Sequence, residues 1–132
     1  LDFQHIRFTI DDNVAVITLD RPAQRNAFTV RMGRELSEAY RACDDNDDVR
    51  AVVVTGTPPA FCAGADLSGG GETFAKRDEK TFTSSPVMPA WDVRKPVIAA
   101  LNGHAIGIGL TIALQCDLRI AAIDAKYGVV QV

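Results

Sequence analysis

The sequence predicts one α/β domain, or part of one, with at least a partly parallel sheet. Three observations carry that expectation. Residues 14–19, 51–55 and 97–101 are short apolar runs of the buried-strand kind, the first two strongly β-branched. A stretch with helical spacing lies between the first two, and strand, helix and strand in succession imply a crossover and therefore parallel pairing. Glycine-rich turns, GTPPAFCAGADL at 56–67 and NGHAIGIG at 102–109, follow the second and third runs. That is where open α/β sheets bind ligands.

Ile6, Phe8 and Ile10 alternate with polar residues, and Asp11-Asp12-Asn13 offers a turn into 14–19, so the chain should begin with a hairpin whose second strand is buried. Pro22 ends that strand, because proline donates no ladder hydrogen bond. A loop through Gln24-Arg25-Asn26 leads to Thr29, a suitable N-cap. Met32, Leu36, Ala39, Tyr40 and Cys43 then share one helical face. The acidic run 44–48 lacks the glycine and closing glutamate of a calcium loop and reads as a solvated connection. After the strand at 51–55 and its small-residue turn, Gly69-Gly70-Gly71 and the charged 72–80 suggest a polar loop or short helix over a site. Trp91 is expected to pack.

Residues 97–101 form a buried strand ended by Asn102-Gly103, and 110–114 is too apolar for a solvated helix. Gly103, Gly107 and Gly109 lie between, a density that frees backbone N–H groups at a helix start and suits the stabilisation of negative charge. The same glycines also permit tight packing alone. A dinucleotide fingerprint fits less well, since Ile112 stands where the third glycine belongs. Residues 117–121 resume as a buried strand, with Asp117 a structural hydrogen-bond acceptor. With glycine-rich turns after two strands, a pair of backbone donors from separate loops would form an oxyanion hole.

The 132 residues are 47% hydrophobic and 23% charged, which excludes wholesale disorder. A net charge of −3 without a basic cluster gives no case for nucleic acid or an anionic membrane, and no run reaches membrane-spanning length. Cys43, Cys62 and Cys116 suggest reduced, packed thiols in a cytoplasmic setting rather than a disulfide framework or metal site. The opening LDFQHIRF has no basic segment followed by an apolar core, so no secretory signal is expected.

Five blocks in order carry a family resemblance: LDRPAQRNAF at 19–28, VRAVVVTG at 49–56, FCAGADL at 61–67, KPVIAALNGHAIGIGL at 95–110 and CDLRIAAIDAKYG at 116–128. With these the chain resembles the N-terminal half of the crotonase, or enoyl-CoA hydratase/isomerase, superfamily. The resemblance implies a crotonase-like spiral of repeated ββα units, with residues 1–132 the N-terminal part of a single domain and its C-terminal half absent. It implies a homotrimer or dimer of trimers, no covalently bound cofactor, no metal, and a coenzyme A thioester as substrate or ligand.

Residue by residue, it implies oxyanion donors at the N–H of Ala65 and of Ile108, where the family usually has glycine. Arg25, Ala27, Ala63, Asp66 and Leu67 would line the coenzyme A path. The two glutamates that move protons in the family's hydratases are matched by Thr111 and Gln131, neither of which serves as a carboxylate base. General acid–base work contributes roughly 10²- to 10⁴-fold, so ordinary hydration should be lost or much reduced. His104 reads as a loop histidine, and His5 has no evident partner. The expected function is acyl-CoA chemistry through an enolate, or acyl-CoA binding without turnover.

Overall fold

The computed structural model describes residues 2–67 and 87–129. Strands β1 (Ile6–Asp11) and β2 (Val14–Leu19) form the expected hairpin, pairing Ile6 with Leu19 and Asp11 with Val14. Asp12 and Asn13 close it at φ 49° and 67°. Two consecutive left-handed residues match the right-handed twist of the flanking strands, and aspartate and asparagine tolerate that conformation better than most.

Helix α1 (Val30–Asp45) starts at Thr29, whose Oγ1 accepts from the Met32 N–H at 3.0 Å. Met32, Leu36, Ala39, Tyr40 and Cys43 are all buried, as their spacing predicts. Burial also raises the Tyr40 hydroxyl above its ordinary pKa and pushes the Cys43 thiol up to about 11. The helix ends against Lys95, whose Nζ donates to the carbonyls of Cys43, Asp44 and Asn46. A cation there satisfies orphan carbonyls and opposes the helix dipole. Asp44 in the acidic run pairs with Arg94 at 3.1 Å, so this corner is tied down rather than merely solvated.

Strand β3 (Ala51–Gly56) lies parallel to β2, β4 (Val97–Leu101) parallel to β3, and β6 (Leu118–Ala121) parallel to β4, giving the order β1-β2-β3-β4-β6. Register stacks Ala15, Val52 and Val97, then Ile17, Val54 and Ala99, on one face. These residues and the apolar face of α1 belong to one buried core. The alternate positions Val16, Val53 and Ile98 are only half-buried.

A two-residue strand β5 (Ala105–Ile106), paired with β7 (Tyr127–Gly128), precedes helix α2 (Ile108–Leu114); the sequence did not predict it. Two other expectations fail. Strand β6, at the sheet edge, is exposed along its length, although Asp117 before it does accept from the Val97 N–H at 2.8 Å. Trp91 is 62% exposed rather than packed, because it lies in a short 3-10 turn (Ala90–Asp92) that buries Ala90 instead. The glycine-rich segment expected over the site, 69–80, lies outside the described residues.

Candidate functional site

Three loops leave the C-terminal ends of adjacent parallel strands: 20–29 after β2, 57–67 after β3, and 102–107 after β4. The side chain of Asn26, fully buried at φ 57°, joins the first two. Its Oδ1 accepts from the Arg21 N–H at 2.8 Å, and its Nδ2 donates to the carbonyls of Thr57 and Ala60, each at 2.9 Å. Asn102 joins the second loop to the third, donating to Ala60 O at 3.2 Å and accepting from the Gly56 N–H at 3.0 Å. Sequence reasoning missed Asn26. A polar residue in a loop ordinarily signals a turn, and nothing local reveals that two distant carbonyls converge on it.

The second and third loops run side by side. Cys62 bridges Ala105 in parallel: the Cys62 N–H donates to His104 O at 3.0 Å and the Ile106 N–H donates to Cys62 O at 3.1 Å. Ala65 and Ile108 each lie three residues beyond that bridge in their own segments. Each is preceded by a glycine at positive φ, Gly64 at 121° and Gly107 at 56°. Among the described residues no acceptor takes the N–H of Ala65 or of Ile108.

The direction of each N–H is fixed by the carbonyl in the same peptide. A trans peptide is planar, so its N–H points opposite to its C=O. Gly64 O accepts from the Phe28 N–H at 2.7 Å, which turns the Ala65 N–H away from the first loop. Gly107 O accepts from the Thr111 N–H at 3.1 Å, which turns the Ile108 N–H out of the start of α2. Close contact holds the helix here: a Cβ on Gly109 would lie 2.2 Å from Cys62 O, so only glycine lets α2 approach the second loop this closely.

Of the residues expected along a coenzyme A path, Arg25, Ala27, Ala63 and Asp66 are drawn together. The Ala63 N–H donates to Arg25 O at 3.1 Å, and the Asp66 N–H to Phe28 O at 2.8 Å. Arg21 pairs with Asp66 at 2.9 Å and donates to Ala27 O at 2.6 Å, a contact the sequence did not reveal because its ends lie in separate blocks. Arg25 and Leu67 are exposed. Because the N–H groups of Ala63 and Asp66 are engaged, these two can shape a ligand path but not donate to it.

Thr111 is half-buried, and its hydroxyl donates to Gly107 O at 3.3 Å, a local back-bond that braces the peptide carrying the Ile108 N–H. Gln131 lies outside the described residues. His104 sits in the third loop, where its Nδ1 accepts from the Lys126 N–H at 2.8 Å, so that nitrogen is occupied. His5 has a partner after all: its Nδ1 lies 2.6 Å from Thr29 Oγ1. Burial and the nearby Arg21 hold its pKa below the ordinary value. The Cys62 thiol beside the site is raised by burial, opposite to the shift a nucleophilic thiolate needs. Among the described residues no group of three or more His, Cys, Asp or Glu side chains could hold a metal ion.

The family model for enoyl-CoA hydratase/isomerase matches residues 9–132. A probable enoyl-CoA hydratase of Mycobacterium tuberculosis is 42% identical over 135 aligned residues, covering 93% of this chain and 52% of that protein. A probable peroxisomal enoyl-CoA hydratase of Arabidopsis thaliana is 39% identical over 114 residues, 86% of this chain and 43% of that one. The crystal structure of a probable enoyl-CoA hydratase/isomerase from Mycobacterium abscessus superposes with a TM-score of 0.84 at 52% identity, covering 94% of this chain and 48% of that one. The chain thus spans about half the length of the curated relatives it matches.

Proposed function

Because the chain belongs to the enoyl-CoA hydratase/isomerase family, we propose that it binds an acyl-CoA thioester and stabilises the enolate between the N–H groups of Ala65 and Ile108. The observation that carries this is a pair of N–H groups that have no acceptor among the described residues, on two segments joined at the Cys62–Ala105 bridge, each following a positive-φ glycine and each aimed by a hydrogen-bonded carbonyl. A thioester oxygen between them would accept both. Charge develops on that oxygen as an α-proton leaves or a nucleophile adds, and one such donor is worth about 3 to 4 kcal/mol in the transition state.

The hole stabilises charge but moves no proton. Thr111 and Gln131 stand where the family's hydratases carry glutamates, and the Thr111 hydroxyl is already engaged by Gly107 O. Hydration should therefore be slow or absent. Isomerisation, thioester hydrolysis or decarboxylation fits better, since some of these need only one carboxylate or lean on the oxyanion hole. The same Thr111 geometry favours a second reading, an acyl-CoA binder without turnover.

Arg25, Ala27, Ala63, Asp66 and Leu67 would line the path of the coenzyme A moiety, chiefly through backbone shape. We read residues 1–132 as the N-terminal part of a single crotonase-like domain that assembles as a homotrimer or dimer of trimers. Three free, buried thiols favour a reducing compartment such as the cytoplasm.

The test is incubation of the protein with a short enoyl-CoA in heavy water, followed by mass spectrometry and NMR of the thioester. Deuterium at the α or γ carbon without hydration supports enolate chemistry. Binding of an unchanged thioester selects the non-catalytic reading. Hydroxyacyl-CoA above the protein-free control would overturn the inference drawn from Thr111 and Gln131, and absence of any binding would overturn the proposal.

A further inference from the structure

We infer that Arg21 is a positioning residue for this site: its guanidinium, bridging Asp66 and Ala27, holds in place the loop on which the Gly64 carbonyl aims the Ala65 N–H. The inference rests on the proposed role of Ala65 as a donor. Ala65 lies between Gly64, whose carbonyl accepts from the Phe28 N–H at 2.7 Å, and Asp66, whose N–H donates to Phe28 O at 2.8 Å. Two bonds to Phe28 flank Ala65, and the Ala63 N–H donating to Arg25 O at 3.1 Å anchors the chain just before Gly64.

Arg21 supplies an attachment on the other side of Ala65, through the Asp66 side chain. Its Nη2 pairs with Asp66 Oδ2 at 2.9 Å while its Nη1 donates to Ala27 O at 2.6 Å, so one planar fork spans both loops. A lysine ammonium lacks that fixed spacing. The pair is well shielded, with side-chain accessibilities of 16% and 15%, so solvent screens it less than an open surface pair.

The base of the fork is itself rigid. The Arg21 N–H donates to Asn26 Oδ1 at 2.8 Å, and Arg21 O accepts from the N–H groups of Gln24 and Asn26 at 3.0 and 2.9 Å. A chain of fixed contacts thus runs from the buried Asn26 through Arg21 to Asp66, the residue next to the donor.

The test is isotope-edited infrared spectroscopy of a short acyl-CoA carrying ¹³C at the thioester carbonyl, recorded at saturating protein. The wild-type chain should lower the carbonyl stretch relative to free thioester. With one of two donors misaimed, Arg21→Gln and Asp66→Asn should each retain about half of that shift or less. Arg21→Lys, which keeps the charge but not the fork, should fall between. If Arg21→Gln fails to fold by circular dichroism, Asp66→Asn decides alone, because it is isosteric and leaves the Arg21–Ala27 bond in place. Full wild-type shifts in the folded variants would overturn the inference. No shift in the wild type with ligand bound would instead overturn the donor assignment on which it rests, a different and separately visible failure.

Discussion

Replacing Asn26 by alanine removes three hydrogen bonds from a fully buried side chain: one accepted from the Arg21 N–H and two donated to the carbonyls of Thr57 and Ala60. At roughly 1 kcal/mol each, these amount to about 3 kcal/mol. Ala60 O retains Asn102 Nδ2 at 3.2 Å, which limits the penalty of leaving it unpaired. The backbone at φ 57° adds a second cost, since alanine enters the left-handed region at about 1 kcal/mol or more. Asn26→Ala should therefore lose about 4 kcal/mol, and Asn26→Gly, free of the backbone cost, about 3. Urea unfolding followed by circular dichroism measures both. A loss below about 1 kcal/mol for Asn26→Ala would refute the claim that this side chain holds the loops together. Equal losses for alanine and glycine would refute the backbone part.

Gly109→Ala should lower stability by about 3 kcal/mol despite alanine's better helix propensity, because its Cβ would meet Cys62 O at 2.2 Å and one backbone segment must move; a thermal melt at or above wild type would contradict this. His5 should titrate below its ordinary value of 6.5 by NMR, since burial and Arg21 disfavour its charged form. The unfolded chain then binds the proton more readily, so the His5 contribution is full above pH 6.5 and is lost as pH falls through the window down to the lowered value. His5→Gln should flatten the stability–pH curve there, and an unchanged slope would argue against it. Thr111→Glu combined with Gln131→Glu should create hydratase turnover in a continuous enoyl-CoA absorbance assay. Continued acyl-CoA binding with no turnover would mean that more than the proton-moving groups separates this chain from a hydratase.

What the sequence reveals here is what local periodicity and turn chemistry encode. The hairpin, the Thr29 cap, the buried face from Met32 to Cys43 and the strands at 51–56 and 97–101 all follow from side-chain spacing. Ala65 and Ile108 are linked in the sequence only through a resemblance, because their segments meet at a long-range bridge between Cys62 and Ala105. Asn26 and Arg21 were invisible for the same reason: each acts across loops that meet only once β2, β3 and β4 lie side by side. Edge position is equally non-local. Leu118 and Ile120 have the composition of a buried strand, yet they are 60% and 69% exposed at the border of the sheet.

The proposed pairing of the Ala65 and Ile108 N–H groups on one thioester oxygen is tested directly by ¹⁵N–¹H NMR of the labelled chain. Titration with a short acyl-CoA should move both amide protons downfield together, as each gains an acceptor, whereas coenzyme A without an acyl group should leave them in place. Bound acyl-CoA that perturbs other amides but neither of these two would contradict the account.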